Sequence, residues 1–569
     1  MTRLARALHL LCAALAAVAL GTLSLRAGLR LESRWDTFWY HLPFAALRGG
    51  LKLSYQMTEE MALRFQGFPP LPHFLEGVLW RLTGSINATG VVGMLAFLGF
   101  IAWCHFALRA RASLVALISL TAPLVIIHCA ASYVDLFGNA LLSIGAASLL
   151  KLELDETGPR GLLFLGGLLG LAGAAWSKFQ LVAVVALFFL FYLVACLRIA
   201  LPFTRKQRLL AWLCAGLLAA APYLKNLAVY GNPFWPVRVP FTPLPYAEDE
   251  VSRAAITQTP PPLIGHPGFE LFFRSLFEWD LPTHYTDRPR WLIDQGGGQM
   301  AFRMGGYWGV GAAFFLTVLA ALLLTGRSRR AGLRVLLAGL VVLGFISLLP
   351  QSHDLRYYLF IPLSWAAGIA LLLPKWEEER PRLASLLLLL ILGLFGRMAW
   401  ENRSYYRVER AGILEAARSW NADRWWPILE SGERYCAVNM TPVGFLLTGP
   451  TLSGYSIVER TRAASCPAGT IPISPERFLP MRSAHQQIAA SASLFQAGRH
   501  ADSIAAARRA LVANPNSALA YNNLCAGYNA LQQWDAAIAA CKEALARNPT
   551  LQIARNNLAE ALKKRDARK

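Results

Sequence analysis

Over its first 400 residues the chain alternates long apolar runs with short polar connectors. A bilayer core of about 30 Å needs roughly 20 apolar residues per helix, and eleven runs approach that length. They lie near residues 7–29, 88–108, 112–132, 136–150, 161–176, 179–197, 209–227, 307–325, 331–349, 358–373 and 384–400. The fourth and fifth are too short for an upright helix and fit a re-entrant pair. The pattern predicts an all-α polytopic membrane protein with about 11 transmembrane helices over residues 1–401.

Two connectors, at about 30–87 and 230–306, are much longer than the others. Connectors beyond about 12–15 residues tend to carry function. The first is amphipathic, with Trp35, Phe38 and Trp39 beside Asp36 and His41. That composition suits helices that lie on a membrane surface.

The region after residue 401 is more polar and ends in a repeat. Between 484 and 562 similar residues recur at a period of 34, as in Asn514/Asn548 and Pro515/Pro549. With small residues at the packing positions, this resembles the tetratricopeptide repeat, which binds peptides or proteins or serves as a scaffold. A solenoid usually needs three or more units, and here two units precede a final helix near 550–563. We therefore expect an α-helical repeat domain at 484–569 that leans on a linker domain at 402–483.

Composition and charge agree with a membrane protein. The 569 residues are 55% hydrophobic and only 16% charged, with mean hydropathy +0.39, whereas soluble proteins are about 25% charged. The net charge of +21 would suggest nucleic-acid binding in a soluble protein. Here Lys and Arg cluster in alternate short connectors, which is the pattern of cytoplasmic loops. No nucleic-acid partner is expected.

The same charge pattern predicts the orientation. It places the N-terminus in the cytoplasm of a bacterium and, with an odd number of spans in the inner membrane, the C-terminal region in the periplasm. Both long connectors then face the periplasm. Arg26, Arg30 and Arg34, just after the first span, go against the pattern.

Four cysteines lie outside the predicted spans: Cys436, Cys466, Cys525 and Cys541. The periplasm permits disulfides, and a Cys436–Cys466 bond is expected. Cys525 and Cys541 occupy packing positions of one repeat, where burial and a bond are both reasonable.

Charged residues at the predicted outer ends of spans, or in the first outer connector, are the candidates for chemistry. They are Asp36, Asp135, Lys178, Lys225 and Arg356. A charge in mid-bilayer costs at least about 2.5–3.5 kcal/mol, so each one near a span needs a reason. A solvated turn explains any one position equally well, and Lys178 could extend its amine to water. Carboxylates and cations from distant segments on one membrane face favour a functional site.

Three short motifs resemble one family. Asp36, with Tyr40-His41-Leu42-Pro43 after it, resembles the first outer loop of the GT-C superfamily of membrane glycosyltransferases. Its bacterial members are similar to protein O-mannosyltransferases and lipid A aminoarabinose transferases. Residues 222–226 and 230–236 are similar to the family's P-x-x-x-R-N and G-N-P-x-x-P stretches, and 353–358 resembles its R-Y element. The chain departs from the family with Thr37 where Glu is frequent and Lys225 where Arg is common.

The resemblance covers about residues 1–400 and implies an activity. A sugar carried on a polyprenyl phosphate would be transferred, with inversion, to a hydroxyl of a lipid, glycan or protein acceptor at the periplasmic face. Loss of the hydroxyl proton calls for a carboxylate base within about 3 Å, a role the resemblance gives to Asp36. The leaving phosphate calls for cations. Lys178, Lys225 and Arg356 are the candidates, with Arg356 favoured for its planar fork.

Supporting roles fall to residues beside these. Tyr40, His41 and His353 are candidates to contact the phosphate or the sugar. Asp135 is a candidate supporting acid, at a position where related oligosaccharyltransferases bind a metal. Because Asp135 lacks a neighbouring acidic partner in sequence, no metal ligands are assigned, and a divalent cation is left open.

Two other interpretations fit parts of the sequence. An O-antigen ligase or polymerase-like enzyme would also combine many spans, a large outer loop and a repeat tail, but such enzymes tend to lack an acidic loop directly after the first span. A non-enzymatic membrane scaffold would display the repeats to partners. It would leave the polar residues at so many span ends unexplained.

Overall fold

The structure is a computed structural model that describes residues 3–154, 158–239, 242–247, 259–279, 290–291, 304–325, 329–430, 432–462 and 465–568. The chain divides into two compact units. The first consists of Met1–Leu51 and Ala62–Gly412, and the second of Lys52–Met61 and Ile413–Lys569.

Helices build the first unit. Their bounds are Arg3–Leu29, Leu42–Arg48, Glu59–Gly67, Leu71–Thr83, Val91–Phe106, Ala112–Ser119, Pro123–His128, Asp135–Leu154, Arg160–Ala175, Val182–Arg198, Arg205–Tyr230, Gly268–Phe277, Gly309–Leu324, Arg329–Ser347, Phe360–Glu379 and Pro381–Glu401. Short turns of helix at Thr37–His41, Ile86–Gly90, Phe179–Leu181, Pro261–Leu263, Leu355–Tyr358 and Arg403–Tyr406 connect them. The predicted helical membrane architecture is confirmed for this unit.

Eight helices among the described residues are long and apolar enough to cross a membrane, and two shorter apolar helices accompany them. The predicted third span is not one helix. It breaks into Ala112–Ser119 and Pro123–His128, because Pro123 forces Ala122 into an extended conformation. The fourth run, predicted too short, forms the 20-residue helix Asp135–Leu154. It is longer than its apolar run because its last turn includes polar side chains. The total of eleven spans stays a prediction.

The basic connectors lie together at one end of the first unit. This is the end that holds the last turn of helix Asp135–Leu154. Arg111 donates a hydrogen bond to Glu377, and His9 lies 2.7 Å from the same carboxylate. Arg198 donates to Glu153 at 2.8 Å. The positively charged connectors therefore share one end, and the side of the membrane that it faces stays a prediction.

Two of the three arginines that go against the charge pattern contact a segment far along the chain. Arg26 is buried and donates to the backbone oxygen of Ser404 at 2.7 Å. Arg30 pairs with Glu409 at 2.7 Å. Arg34 Nε lies 3.1 Å from Glu32, two residues earlier. The contacts of Arg26 and Arg30 join the end of the first helix to the segment after the last one, which gives these two arginines a structural role.

The second unit contains a sheet that the sequence did not predict. Its strands are β1 (Tyr55–Gln56), β2 (Arg434–Val438), β3 (Ser456–Arg460) and β4 (Ile471–Ile473). All neighbours are parallel, in the order β1-β3-β2-β4. Strands β2, β3 and β4 lie in the linker domain at 402–483, for which no fold is predicted from the sequence, and β1 comes from the first long connector.

Further helices complete the second unit. After Ile413–Ser419 and Val443–Leu446 come five consecutive helices, Phe478–Gln496, His500–Ala513, Ala518–Ala530, Trp534–Arg547 and Gln552–Asp566. Buried small residues such as Ala507, Ala537 and Ala544 let neighbouring helices approach closely. Ser517 donates to buried Glu430 at 2.6 Å. The tetratricopeptide identity of these helices stays a prediction.

Both candidate cysteine pairs are bonded. The Cys436–Cys466 disulfide is present as expected. Cys525 and Cys541, for which the sequence left two possibilities, also form a disulfide.

Glu433 makes the stability of the second unit depend on pH. Burial, and then repulsion from Glu430, raise the pKa of Glu433 to about 7. Because the carboxyl ionises at lower pH when unfolded, folding stability falls as pH rises from about 4.5 to 7. We expect Glu433→Gln to add about 1–2 kcal/mol of stability at pH 8 and almost nothing at pH 4. Thermal unfolding of the full-length protein at both pH values tests this, and an equal shift at the two would contradict it.

Candidate active site

Asp36 lies where the first helical turn of the long connector begins. The Thr37–His41 turn follows it directly, and only 6% of Asp36 is exposed. Arg356, in the turn Leu355–Tyr358, brings Nη1 to 3.6 Å from Asp36 Oδ2. Asp354 Oδ2 accepts a hydrogen bond from Arg356 Nε at 3.1 Å. A single buried guanidinium therefore faces two carboxylates.

A second buried ion pair lies beside the first. Lys178 Nζ donates to Asp135 Oδ1 at 2.6 Å, and Asp135 is fully buried. The aromatic ring of Tyr357 lies between the two cations. Its centre is 4.5 Å from Lys178 Nζ and 5.0 Å from the guanidinium carbon of Arg356. These contacts unite four segments of the chain in one buried group, which we call the charged cluster: Asp36, Asp135, Lys178, Asp354 and Arg356.

The charge count of the charged cluster limits what it can bind. Three carboxylates oppose two cations, and both cations contact carboxylates within 4 Å. An added phosphate would bring like charge to a buried region, where repulsion is poorly screened. The cluster is therefore better suited to holding an ionised carboxylate than to anchoring a second anion.

Neutral polar side chains line one side of the charged cluster. The ring centre of Tyr40 is 4.1 Å from that of His41, and His41 Nδ1 lies 2.9 Å from His73 Nε2. Burial lowers the pKa of His73 to about 3 and keeps that of His41 well below its usual value. Burial and the nearby Asp36 carboxylate raise the pKa of Tyr40. All three side chains stay uncharged at neutral pH.

Close backbone packing fixes the two histidines. Gly49 and Gly77 approach so closely that a Cβ built on Gly49 would lie 2.5 Å from the backbone of Gly77. This contact holds helix Leu42–Arg48, which follows His41, against helix Leu71–Thr83, which carries His73. Any larger residue at either glycine would push the histidines apart.

Lys225 contacts a different group of residues. Lys225 Nζ donates to the carbonyl of Gln66 at 2.6 Å, and Asn226 Nδ2 donates to the carbonyl of Gly67 at 2.8 Å. Arg48 Nη2 donates to the preceding carbonyl, that of Phe65, at 2.5 Å. The three side chains cap the C-terminus of helix Glu59–Gly67, where cations are favourable. We call Arg48 and Lys225 the edge cations, because Lys225 remains exposed.

The second half of the same motif packs against this helix end. Tyr230 stacks on Trp235 with ring centres 5.0 Å apart. A Cβ on Gly67 would lie 1.9 Å from the carbonyl oxygen of Trp235. The segment 230–236 therefore has a structural reason for its sequence, namely close docking on the helix that the edge cations cap.

Aromatic side chains connect the two regions. Phe179, the neighbour of Lys178, packs against Phe68, Tyr223 and Phe234 with ring centres 5.0–5.9 Å apart. Arg48 also lowers the pKa of His73 by its charge. Arg48, one of the two edge cations, thus lies within electrostatic range of the neutral side chains that border the charged cluster.

The structure brings together most of the residues selected from the sequence. These are Asp36, Tyr40, His41, Asp135, Lys178 and Arg356. Lys225 makes its contacts elsewhere. His353 is buried, and its backbone carbonyl accepts from Ser275 at 2.6 Å.

Other site residues gave a weaker signal or none. Asp354 and Tyr357 adjoin Arg356 in sequence, so the same motif could have suggested them. The sequence around His73 and His128 shows no unusual pattern. In the structure, His128 Nε2 lies 4.0 Å from Asp135 Oδ2.

Within the described ranges, no group of three or more His, Cys, Asp or Glu side chains could hold a metal ion.

The chain is similar to solved structures at low sequence identity. No family model and no curated protein matches the chain. Similar solved structures include ArnT from Cupriavidus metallidurans in the apo state, at 14% identity and a TM-score of 0.45, covering 84% of this chain and 91% of that one. The same protein bound to undecaprenyl phosphate gives 13% identity and a TM-score of 0.40, with 94% and 79% covered.

Proposed function

We propose that this protein is a membrane glycosyltransferase that moves a sugar from a polyprenyl-phosphate donor to an acceptor hydroxyl on the periplasmic face. The observation that carries the proposal is the charged cluster. Asp36 is a buried carboxylate beside a guanidinium, at the end of an apolar helical unit, and neutral hydrogen-bonding side chains border it. A membrane scaffold would gain nothing from such a costly arrangement.

In this proposal Asp36 is the general base. The acceptor oxygen attacks the anomeric carbon while the bond between that carbon and the phosphate oxygen breaks. The acceptor proton passes to Asp36, and the bonding electrons leave with the phosphate. Arg356 keeps Asp36 ionised, because an opposite charge nearby favours the carboxylate. One displacement of this kind inverts the anomeric centre.

We assign the donor phosphate to the edge cations rather than to Arg356. Arg356 and Lys178 already hold carboxylates, whereas no carboxylate within 4 Å of Lys225 or Arg48 is found among the described residues. Lys225 is exposed, so a lipid phosphate can reach it from the membrane. Phosphate at the edge cations and Asp36 on the far side of the sugar would give the opposed geometry that inversion requires.

The sugar then lies against Tyr40, His41 and His73. A phenol and two neutral imidazoles can donate and accept hydrogen bonds without adding charge. Asp135 and Lys178 form an ion pair within electrostatic range of this surface and support it. His353 directly precedes Asp354, which accepts from Arg356 Nε, and contributes through that position.

The assignment of the phosphate predicts different kinetic effects for two cations. We expect Lys225→Gln, which keeps a donor for the Gln66 carbonyl but removes the charge, to raise the KM for the lipid donor about tenfold and to lower kcat, because negative charge develops on the leaving phosphate. Arg356→Lys should instead lower kcat with little change in KM, because it disturbs Asp36. Initial-rate kinetics in detergent would measure both, with Lys52→Ala, an exposed cation of the connector that carries Asp36 and Arg48, as control. A KM that rises with Arg356→Lys and not with Lys225→Gln would return the phosphate to Arg356.

The proposed function itself is tested in the bacterium. Mass spectrometry of envelope glycans and glycoproteins would compare a strain that lacks the gene with the same strain carrying the wild-type chain or Asp36→Asn. We expect one glycosylated product to vanish in the deletion strain, return with the wild type and stay absent with the variant. Identical glycans in all three strains would refute the proposal.

A further inference from the structure

An apolar groove runs between helices of the first unit, and its mouth lies at the end of the unit opposite to the charged cluster. Helices Asp135–Leu154, Val182–Arg198, Gly309–Leu324, Arg329–Ser347 and Phe360–Glu379 line it. Apart from Glu153, Arg198, Arg334 and Ser364, its lining side chains are apolar, and Gly339 lies on one side. The proposed transfer reaction makes no use of it.

The length of the groove matches one leaflet of a bilayer. Along helix Val182–Arg198 its lining runs from Phe188 to Arg198, which at 1.5 Å per residue is about 15 Å. The hydrocarbon core of a bilayer is about 30 Å thick. An acyl chain that starts at the end with Arg198 would therefore fill the groove as far as mid-membrane.

Two arginines lie at the mouth of the groove. Arg198 Nη2 contacts Glu153 at 2.8 Å, and Arg334 Nη2 contacts the same carboxylate at 3.4 Å. The arginine side chains are 46% and 48% exposed, whereas that of Glu153 is 14% exposed. Among the described residues that line the mouth, two guanidinium groups against one carboxylate leave a net positive charge. The five N–H donors on each arginine also exceed what one carboxylate can accept.

We propose that this groove binds one anionic phospholipid, with its phosphodiester at Arg198 and Arg334 and one acyl chain between the helices. Basic pockets between membrane helices bind anionic headgroups in this way. A zwitterionic lipid would fill the same groove but would bring its own cation to a positive mouth. The site is separate from the proposed transfer chemistry, and its test does not depend on that activity.

Native mass spectrometry of the purified full-length protein tests the proposal. Phosphatidylglycerol and phosphatidylcholine with matched acyl chains are the probes, and a polyprenyl phosphate is the competitor. We expect phosphatidylglycerol to bind about tenfold more tightly than phosphatidylcholine. Replacing both arginines by Gln should lower phosphatidylglycerol affinity about 10- to 30-fold and leave phosphatidylcholine unchanged. Glu153→Gln should raise phosphatidylglycerol affinity, because it removes the competing carboxylate.

Two glycines of one helix provide a matched pair. Neither Gly339 nor Gly344 has an atom within 4 Å of an added Cβ, and only Gly339 lines the groove. Gly339→Phe should abolish retention of both phospholipids, whereas Gly344→Phe should leave it unchanged. Equal affinity for the two phospholipids, full retention in Gly339→Phe, or tighter binding of polyprenyl phosphate than of phosphatidylglycerol would each overturn the proposal.

Discussion

Asp36→Asn is expected to lower the rate of sugar transfer by about 10²- to 10⁴-fold, the usual contribution of a positioned general base. The amide has nearly the shape of the carboxylate but cannot take the acceptor proton. Arg356 still has Asp354 as a partner at 3.1 Å, so the charged cluster should persist. The measurement is single-turnover transfer with the lipid donor bound, because it isolates the chemical step from binding.

Glu59→Gln is the matched control for this experiment. Glu59 lies in the same connector, is exposed and makes no contact with the charged cluster within the described part of the chain. The control should transfer at the wild-type rate. Transfer by Asp36→Asn within tenfold of wild type, with normal donor binding, would exclude Asp36 as the base.

Lys178→Met is expected to destabilise the first unit by about 3–5 kcal/mol, because it leaves the fully buried Asp135 carboxylate without its cation. Breaking a buried ion pair on one side costs far more than removing both charges. The double variant Lys178→Met with Asp135→Asn should therefore recover most of the lost stability. Thermal unfolding of the purified protein in detergent would measure both variants.

The single variant Asp135→Asn separates this explanation from a general packing effect. It leaves Lys178 charged but 13% exposed and still over the ring of Tyr357, so its loss of stability should be smaller. Equal destabilisation by Lys178→Met and by the double variant would show that Asp135 does not need its cation in the fold.

The charged cluster could be predicted because its members break a strong pattern. Asp36, Asp135, Lys178 and Arg356 are charges at the ends of apolar runs, where each costs free energy that must be compensated. Their pairing could not be predicted, since it depends on how the helix ends meet. His73 lies in an ordinary amphipathic segment, and only the close approach of Gly49 and Gly77 places it beside His41.

The sheet of the second unit could not be predicted from the sequence, for a different reason. β1 has two residues and β4 has three, which is too short for the alternation that identifies a strand.

Lys225 could be selected from the sequence, but its contacts could not be predicted. Its motif was selected for chemistry, yet its first visible role is to cap a helix end together with Arg48 and Asn226.

The origin of β1 has a consequence for how the protein is made. The phenol of Tyr55 donates to Glu459, 404 residues later in the chain. At a synthesis rate of about 5–20 residues per second, roughly 20–80 seconds separate the two. During that interval β1 remains unpaired, because β3 and the remaining membrane helices have not yet been synthesised. A chaperone that shields residues 52–61 would act in that window, and a fragment that begins at 413 would start with β3 unpaired along one edge.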